Sequence, residues 1–321
     1  MNRRQFLYRS SMFVTLCHSM ARSATSSSEN GLSIIDTHQH LWSLHHLRPP
    51  WLRPGGELTR DYTQADYAEA TRGLGITRAI YMEVALSPEQ QPAEARYIIK
   101  VCQDKSNPTC AAVIGGQILN ESFKDYILQF KDSPYIKGVR HNLYNPSQLN
   151  SKQLIENLRL LGTLNMRFDL LVRPDHVGEA ARLVEQCGDT RFILDHCGNA
   201  DPLAFNPHLD WGRGPQHDAD QWKQGIDVLA QQPNVICKIS GIIARVPKGK
   251  AVAKVLSPIV NHCLDSFGPD RVVFASDWPV CTRGAPLHVW LTLLNEIIRK
   301  RSIEEKRKLF RTNAFHFYDL D

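Results

Sequence analysis

Two histidines one residue apart, His38 and His40, follow the apolar run Ser33-Ile34-Ile35 by way of Asp36 and Thr37. On a strand alternate side chains share a face, so Asp36, His38 and His40 are expected to point the same way. Two imidazoles at a strand's end can hold a metal ion or polarise a carbonyl. Asp36 lies deeper and suits a structural partner in the interior. Asp277 follows a second apolar run, Val272-Val273-Phe274-Ala275-Ser276. A carboxylate there can ligate a metal, act as general base, or do both. His196, after Ile193-Leu194-Asp195, offers a third imidazole, in the site or as hydrogen-bonding support. Glu83, after Ala79-Ile80-Tyr81-Met82, is either a further ligand or the partner of a histidine's second ring nitrogen. Lys238 falls within a strand and is expected below the site, and a metal-bridging modified lysine is not indicated. An isolated H-x-H is more often structural than chemical, so the weight rests on convergence.

Arginine suggests what the site would hold. Arg48, Arg53, Arg60, Arg140, Arg173, Arg213, Arg245 and Arg283 all fall at or after strand ends. Guanidinium forks match carboxylates in bidentate fashion. Arg140 and Arg173 are nearest the strand tips and are the expected substrate binders, with His141 beside the first. Trp42, Trp51 and Trp278 would suit the apolar face of a sugar ring, or simply pack.

The elements that must position these groups follow a regular alternation. Apolar strands are expected over 33–38, 79–83, 111–117, 136–141, 168–172, 191–195, 235–240 and 271–275, each followed by helix. Helices are expected over 63–74, 88–101, 121–130, 151–161, 176–186, 219–230, 251–267, 286–299 and 303–311. The helix over 251–267 is expected to restart at Ser257-Pro258, because proline suits a first turn. Strands apolar on both faces belong to a buried parallel sheet. Eight βα units make a closed (β/α)8 TIM barrel, somewhat distorted, the economical arrangement; an open doubly wound sheet lacks its glycine-rich turn after the first strand. Long loops follow strand 1 (41–62) and strand 6 (197–217), and the tryptophans and arginines of the first suit a lid. In such a barrel the chemistry sits at the strands' carboxyl ends, where His38, His40, Glu83, Gln117, Arg140, His141, Arg173, His196, Ser240 and Asp277 all fall.

The 321 residues carry 38 Lys and Arg against 33 Asp and Glu, a formal charge of +5. Four of the arginines, Arg3, Arg4, Arg9 and Arg22, lie before the first acid, Glu29. Without them 34 bases face 33 acids, so no nucleic-acid footprint exists. No apolar run approaches the ~20 residues of a membrane span. Asn2-Arg3-Arg4-Gln5-Phe6-Leu7 and the apolar stretch after it read as a twin-arginine export signal over 1–24, with a linker over 25–32 and one barrel domain over 33–321. That reading places the mature protein in the bacterial periplasm; without it the protein is cytoplasmic. The cysteines include no C-x-x-C and sit singly in apolar segments, as Cys102, Cys237 and Cys263 do. They read as buried thiols, not a disulfide framework.

Asp36-Thr37-His38-Gln39-His40-Leu41-Trp42, Lys137-Gly138-Val139-Arg140-His141, Leu194-Asp195-His196-Cys197-Gly198 and Ser276-Asp277-Trp278-Pro279 together resemble the amidohydrolase superfamily. More narrowly they resemble its "amidohydrolase 2" branch, which includes sugar-acid lactonases and 2-pyrone-4,6-dicarboxylate lactonase. Tyr81-Met82-Glu83-Val84 and Asn313-Ala314-Phe315-His316-Phe317-Tyr318 also fit, so the resemblance spans roughly 33–318. It implies a hydrolase that opens the lactone ring of a small anionic sugar acid or a carboxylated lactone. By that resemblance His38, His40 and His196 polarise the carbonyl, directly or through one divalent metal ion, zinc being used by some members and none by others. Asp277 would deprotonate water and return the proton to the departing ring oxygen. His38, His40, Glu83, His196 and Asp277 are then the ligand candidates, and Arg140, His141, Arg173, Trp42 and Trp278 the substrate binders. An export leader is not usual among the branch's cytosolic sugar-pathway members. A metal-dependent decarboxylase and a non-catalytic periplasmic binding protein are the alternative readings.

Overall fold

A computed structural model describes residues 32–320, so the export signal and nearly all of the linker lie outside the described residues. Eight parallel strands run in sequence order around one sheet: β1 Ile34–Gln39, β2 Ile76–Met82, β3 Thr109–Gly115, β4 Ile136–Leu143, β5 Arg167–Val172, β6 Arg191–Leu194, β7 Val235–Ile239 and β8 Val272–Phe274. The ring closes between β1 and β8 through a parallel bridge of Gln39 to Trp278. Amides reinforce it, His40 N–H donating to Trp278 O at 2.8 Å and Asp277 N–H to His38 O at 3.0 Å. The expected (β/α)8 barrel is therefore the observed one.

Apolar strands bury both faces. Outside, Ala79, Tyr81, Ala112, Ile114, Phe168 and Leu170 pack against the helices. Inside, Ile35, Ile80, Met82, Ala111, Val113, Ile193, Ile236 and Val273 form a second core. The inner core is completed from the chain's far end. Helix Ile303–Arg307 runs through a wide turn, Lys308–Thr312, into Asn313–Phe317. From there Ala314, Tyr318 and Leu320 join the inner cluster. Arg167 and Arg191 hold this plug, both pairing with Asp319 and donating to the Phe317 carbonyl. The helix expected over 303–311 therefore continues, through that turn, to Phe317 and carries the plug.

Two further corrections have simple causes. Helix Ala253–Phe267 runs through Pro258 without restarting. The carbonyl that Pro258 leaves without an amide donor belongs to Lys254, and the Ser257 hydroxyl donates to it at 3.2 Å. Asp36 does not share a face with His38. The pairing of β1 with β2 shifts register between Asp36 and Gln39, and the extra residue inverts the alternation. Ile35 points into the barrel, while Asp36 meets the Tyr67 hydroxyl (2.7 Å) of helix Gln64–Ala70. Its carboxylate also takes the Ser276 amide at 2.8 Å and the Ser276 hydroxyl at 2.5 Å.

Because Tyr318 is wholly buried in the inner core, Tyr318→Ala should cost about 3–5 kcal/mol of stability. Denaturant titration of the two proteins measures this, and equal midpoints would show that the plug does not stabilise the barrel.

Candidate active site

Strand ends bring His38 and His40 (β1), Arg140 (β4), His196 (after β6) and Asp277 (after β8) to one floor. His38 Nε2 lies 3.1 Å from His40 Nε2. Asp277 Oδ1 lies 3.4 Å from His40 Nε2, 3.7 Å from His38 Nε2 and 3.9 Å from His196 Nε2. All four side chains are buried.

Local backbone explains their aim. His196 to Asn199 run through four successive left-handed residues, with φ of 56°, 51°, 63° and 58°, so the chain turns sharply as it leaves β6. Gly241 must be glycine: its φ is +71°, and a Cβ would lie 2.5 Å from His196 Cβ. Asp277 also has positive φ, 56°, which turns its carboxylate back over the barrel.

The outer ring nitrogens are each accounted for. His40 Nδ1 is 2.9 Å from the Met82 carbonyl, which only accepts, so Nδ1 carries the proton and neutral His40 offers a lone pair at Nε2. His196 Nδ1 is 2.9 Å from the Ser240 hydroxyl, which donates or accepts, so His196 can present either a lone pair or an N–H at Nε2. His38 Nδ1 faces Asp195 Oδ1 at 3.5 Å, and its Nε2 faces Arg140 Nη1 at 3.2 Å. A guanidinium only donates, which favours the proton of neutral His38 on Nδ1. The Lys238 ammonium, also only a donor, lies 3.4 Å from that nitrogen, so contacts on both sides compete for the tautomer.

Beneath His38 lies a layer of charge. Lys238 Nζ pairs with Asp169 and sits 3.0 Å from Asp195 and 3.4 Å from His38 Nδ1. Burial, and then the Lys238 charge, hold the His38 pKa well below its ordinary value despite Asp195. Burial likewise lowers His196. Burial would raise Asp195, but Lys238 and His38 hold it well below the usual carboxylate range. Asp169 is pushed up to about 7 by burial, against the pull of Lys238. The expected place of Lys238, below the site, is correct, and it reaches His38 itself.

Several expected residues stand elsewhere. The Glu83 carboxylate takes Arg140 Nε at 2.6 Å and the Ala85 amide at 2.5 Å, so it braces the arginine rather than a histidine or the ligand cluster. Arg173, half exposed, pairs with Asp175 outside the cavity. His141 follows Arg140 on β4 and so faces away, into a side pocket with Gln91 and Gln117. Trp42 and Trp278 are buried, packing edge-on against Tyr62. The ring that does reach the cavity is Trp51, from the loop after β1, whose Nε1 donates to Val84 O at 2.8 Å.

Above the floor opens a cavity of about 600 Å³, within the range of small-molecule sites. Tyr144, Arg213, Arg245 and Arg283 line it along with Arg140. Arg213 is bound to Asp201. Arg245 is different. Its guanidinium donates to Gln216 Oε1 (2.9 Å) and Asn199 Oδ1 (3.1 Å), two neutral amides, and among the described residues it has no carboxylate partner. Sequence position could not separate Arg245 from Arg173, since both follow strand ends.

The cluster fits a divalent ion. Tetrahedral ligands about 2.0–2.1 Å from zinc lie roughly 3.4 Å from one another. Ligand atoms of His38, His196 and Asp277 all lie within 4.8 Å of one another, and His40 Nε2 lies 3.1 Å from His38 Nε2 and 3.4 Å from Asp277 Oδ1. His40 points a lone pair toward His38 Nε2 across 3.1 Å, and with His38 protonated at Nδ1 a cation between the two nitrogens would satisfy both. Met82, Ser240 and Asp195 supply the outer contacts that orient ligating imidazoles.

A barrel with histidines and an aspartate converging at its carboxyl end defines the class of barrel hydrolases. The chain belongs to the amidohydrolase family, whose sequence model matches residues 35–320. It is 23% identical over 297 residues to L-fucono-1,5-lactonase of Burkholderia multivorans, covering 89% of this chain and 96% of that protein. It is 25% identical over 296 residues to the L-fucono-1,5-lactonase of Burkholderia ambifaria, with the same coverage. A crystal structure of an amidohydrolase from Burkholderia multivorans with bound zinc superposes with a TM-score of 0.76 at 22% identity, over 90% of this chain and 99% of that one. No helix among the described residues is long and apolar enough to cross a membrane.

Behind the site, Glu94 Oε1 accepts from Tyr81 Oη and the Val84 amide. Burial and the Glu83 charge push its pKa up to about 8. The folded state thus holds a proton that the unfolded chain releases above the usual carboxylate range. That contribution to stability is complete below the unfolded pKa and is lost as pH rises through about 8. Glu94→Gln keeps the acceptor and has no proton to lose. Its melting temperature should exceed the parent's by a margin that grows from about pH 5 to about pH 9, reaching roughly 2–4 °C or more. Parallel melting curves across that range would refute the assignment.

Proposed function

We propose that this protein hydrolyses the ring ester of a small lactone derived from a sugar acid or bearing a further carboxylate. One observation carries the reading. Three imidazole Nε2 atoms surround one oxygen of Asp277 at the floor of a cavity whose wall holds an arginine paired only with amides. The lactonase names of the relatives point the same way.

Asp277 is the group placed to take a proton from water as its oxygen attacks the lactone carbonyl carbon. Negative charge then develops on the carbonyl oxygen, and Arg140, charged and locked by Glu83, is the donor at that edge of the floor. His196 can add an Nε2–H whenever the Ser240 hydroxyl donates to its Nδ1. The ring C–O bond breaks, Asp277 returns the proton to the departing oxygen, and the product is an open hydroxy acid. His38, His40, His196 and Asp277 would hold a divalent ion, which when bound supplies polarisation of the carbonyl and a more acidic water. Trp51 offers an apolar ring face to the sugar carbons. With a leader over residues 1–24, the proposal places this activity in the periplasm.

Proton release measured against a panel of sugar-acid and dicarboxylate lactones tests the reading. Saturable acid production on one class is expected, and silence across the panel would remove it. Asp277→Asn should lower turnover about 10²–10⁴-fold; a near-parental rate would take Asp277 out of the proton transfers.

Arg245 sets the choice between lactones. Losing a charged hydrogen bond of about 1.5–3 kcal/mol predicts that Arg245→Leu raises KM for a carboxylated lactone roughly 10–100-fold. KM for an uncharged lactone should stay within about threefold. Equal losses on both substrates would show that Arg245 does not read the carboxylate.

A further inference from the structure

Behind the turn that carries His196, three cysteines from three separate elements meet. Cys197 is in the turn itself, Cys237 on β7 and Cys263 on helix Ala253–Phe267. Their sulfurs all lie within 4.8 Å of one another, and all three residues are wholly inaccessible. Cys197 and Cys237 share one carbonyl, Lys238 O, at 3.6 Å and 3.8 Å from their sulfurs. Apolar core surrounds the group on the remaining sides.

We propose that Cys197, Cys237 and Cys263 form a second metal site, a three-sulfur nest for a thiophilic d10 cation such as zinc or cadmium. A trigonal ion with bonds of about 2.3 Å places its sulfurs roughly 4.0 Å apart. The 4.8 Å within which the three sulfurs all lie admits that spacing. Thiolate donors select soft ions, whereas the imidazoles and carboxylate of the floor select borderline ones. The two clusters therefore differ in chemistry although His196 and Cys197 are adjacent. Each sulfur that coordinates as thiolate releases one proton, and the metal–sulfur bond replaces the S–H bond. The nest is sealed, so the ion enters while the chain folds. An ion there holds the left-handed turn from behind and so fixes the direction of His196.

The test uses the full-length protein produced in medium supplemented with Cd²⁺. A near-ultraviolet sulfur-to-cadmium charge-transfer band is expected, together with sulfur neighbours in cadmium X-ray absorption. Cys263→Ala and Cys237→Ala should each remove the nest's band, and Cys110→Ala, at a partly buried thiol outside the group, should leave it intact. The parent's absorption spectrum alone is decisive if either variant fails to fold. Cadmium bound with only nitrogen and oxygen neighbours would assign all of it to the histidine cluster and overturn the proposal. So would a band that survives both substitutions, or no bound cadmium, either of which would leave the cysteines as core packing.

Discussion

The contact between Asp36 and Ser276 is the constraint on which the site depends. A barrel of eight strands must join its first to its last, and β8 is only three residues long. Too few backbone pairs exist there to fix the register. Asp36 supplies the missing fixity by taking both the amide and the hydroxyl of Ser276 while Tyr67 holds its other side. Ser276 precedes Asp277, and Asp36 precedes His38 by two residues. Joining the one pair therefore sets the distance between the base and both histidines. Burial raises the Asp36 pKa against the donors that favour its charge, so four hydrogen bonds, the His38 amide's at 3.2 Å included, are what make an acid tolerable at this seam.

From that seam downward the barrel interior is layered by polarity. The histidines and Asp277 form the floor; Lys238 with Asp169 and Asp195 lies beneath; an apolar layer and the Tyr318 plug complete the stack. Each layer conditions the one above. Lys238 lies 3.4 Å from His38 Nδ1 and opposes a positive charge on the ring, while Asp195 Oδ1 faces the same nitrogen at 3.5 Å and favours one. His38 is thereby kept neutral, and its Nδ1–H tautomer is the one that either a metal ion or the Arg140 donor requires. Glu83 serves the same end from the side, since a guanidinium bound twice to one residue cannot swing away.

The fold was legible because its signal is repeated: eight apolar runs, each ending in a polar residue and each followed by helix. The floor was legible for the same reason, since strand tips are fixed points of a barrel. What failed depended on a single residue of offset. The irregularity in β1 inverted Asp36, and nothing in Ile34-Ile35-Asp36-Thr37 announces it. Parity likewise sent His141 outward while Arg140 turned inward. Among loop residues the sequence carries even less, because Arg173 finds Asp175 two positions on, while Arg245 finds Asn199 and Gln216 from a distant loop. Which arginine remains available to a substrate is decided by where the acids are, and that is a tertiary fact. The tryptophans show the same limit: Trp42 and Trp278 flank the histidines and aspartate in sequence yet spend their rings on Tyr62.

The plug gives the barrel a temporal order. Tyr318 and Leu320 cover Ile35 and Ile80, residues made roughly 240 to 285 positions earlier, and contacts so distant in sequence form late. Until residues 314–320 have left the ribosome, the underside of the ring stays open and water can reach Asp169 and Lys238 from below. A chain arrested shortly before that point would hold every strand and every floor residue, yet lack the lid on its underside that keeps the buried charges dry.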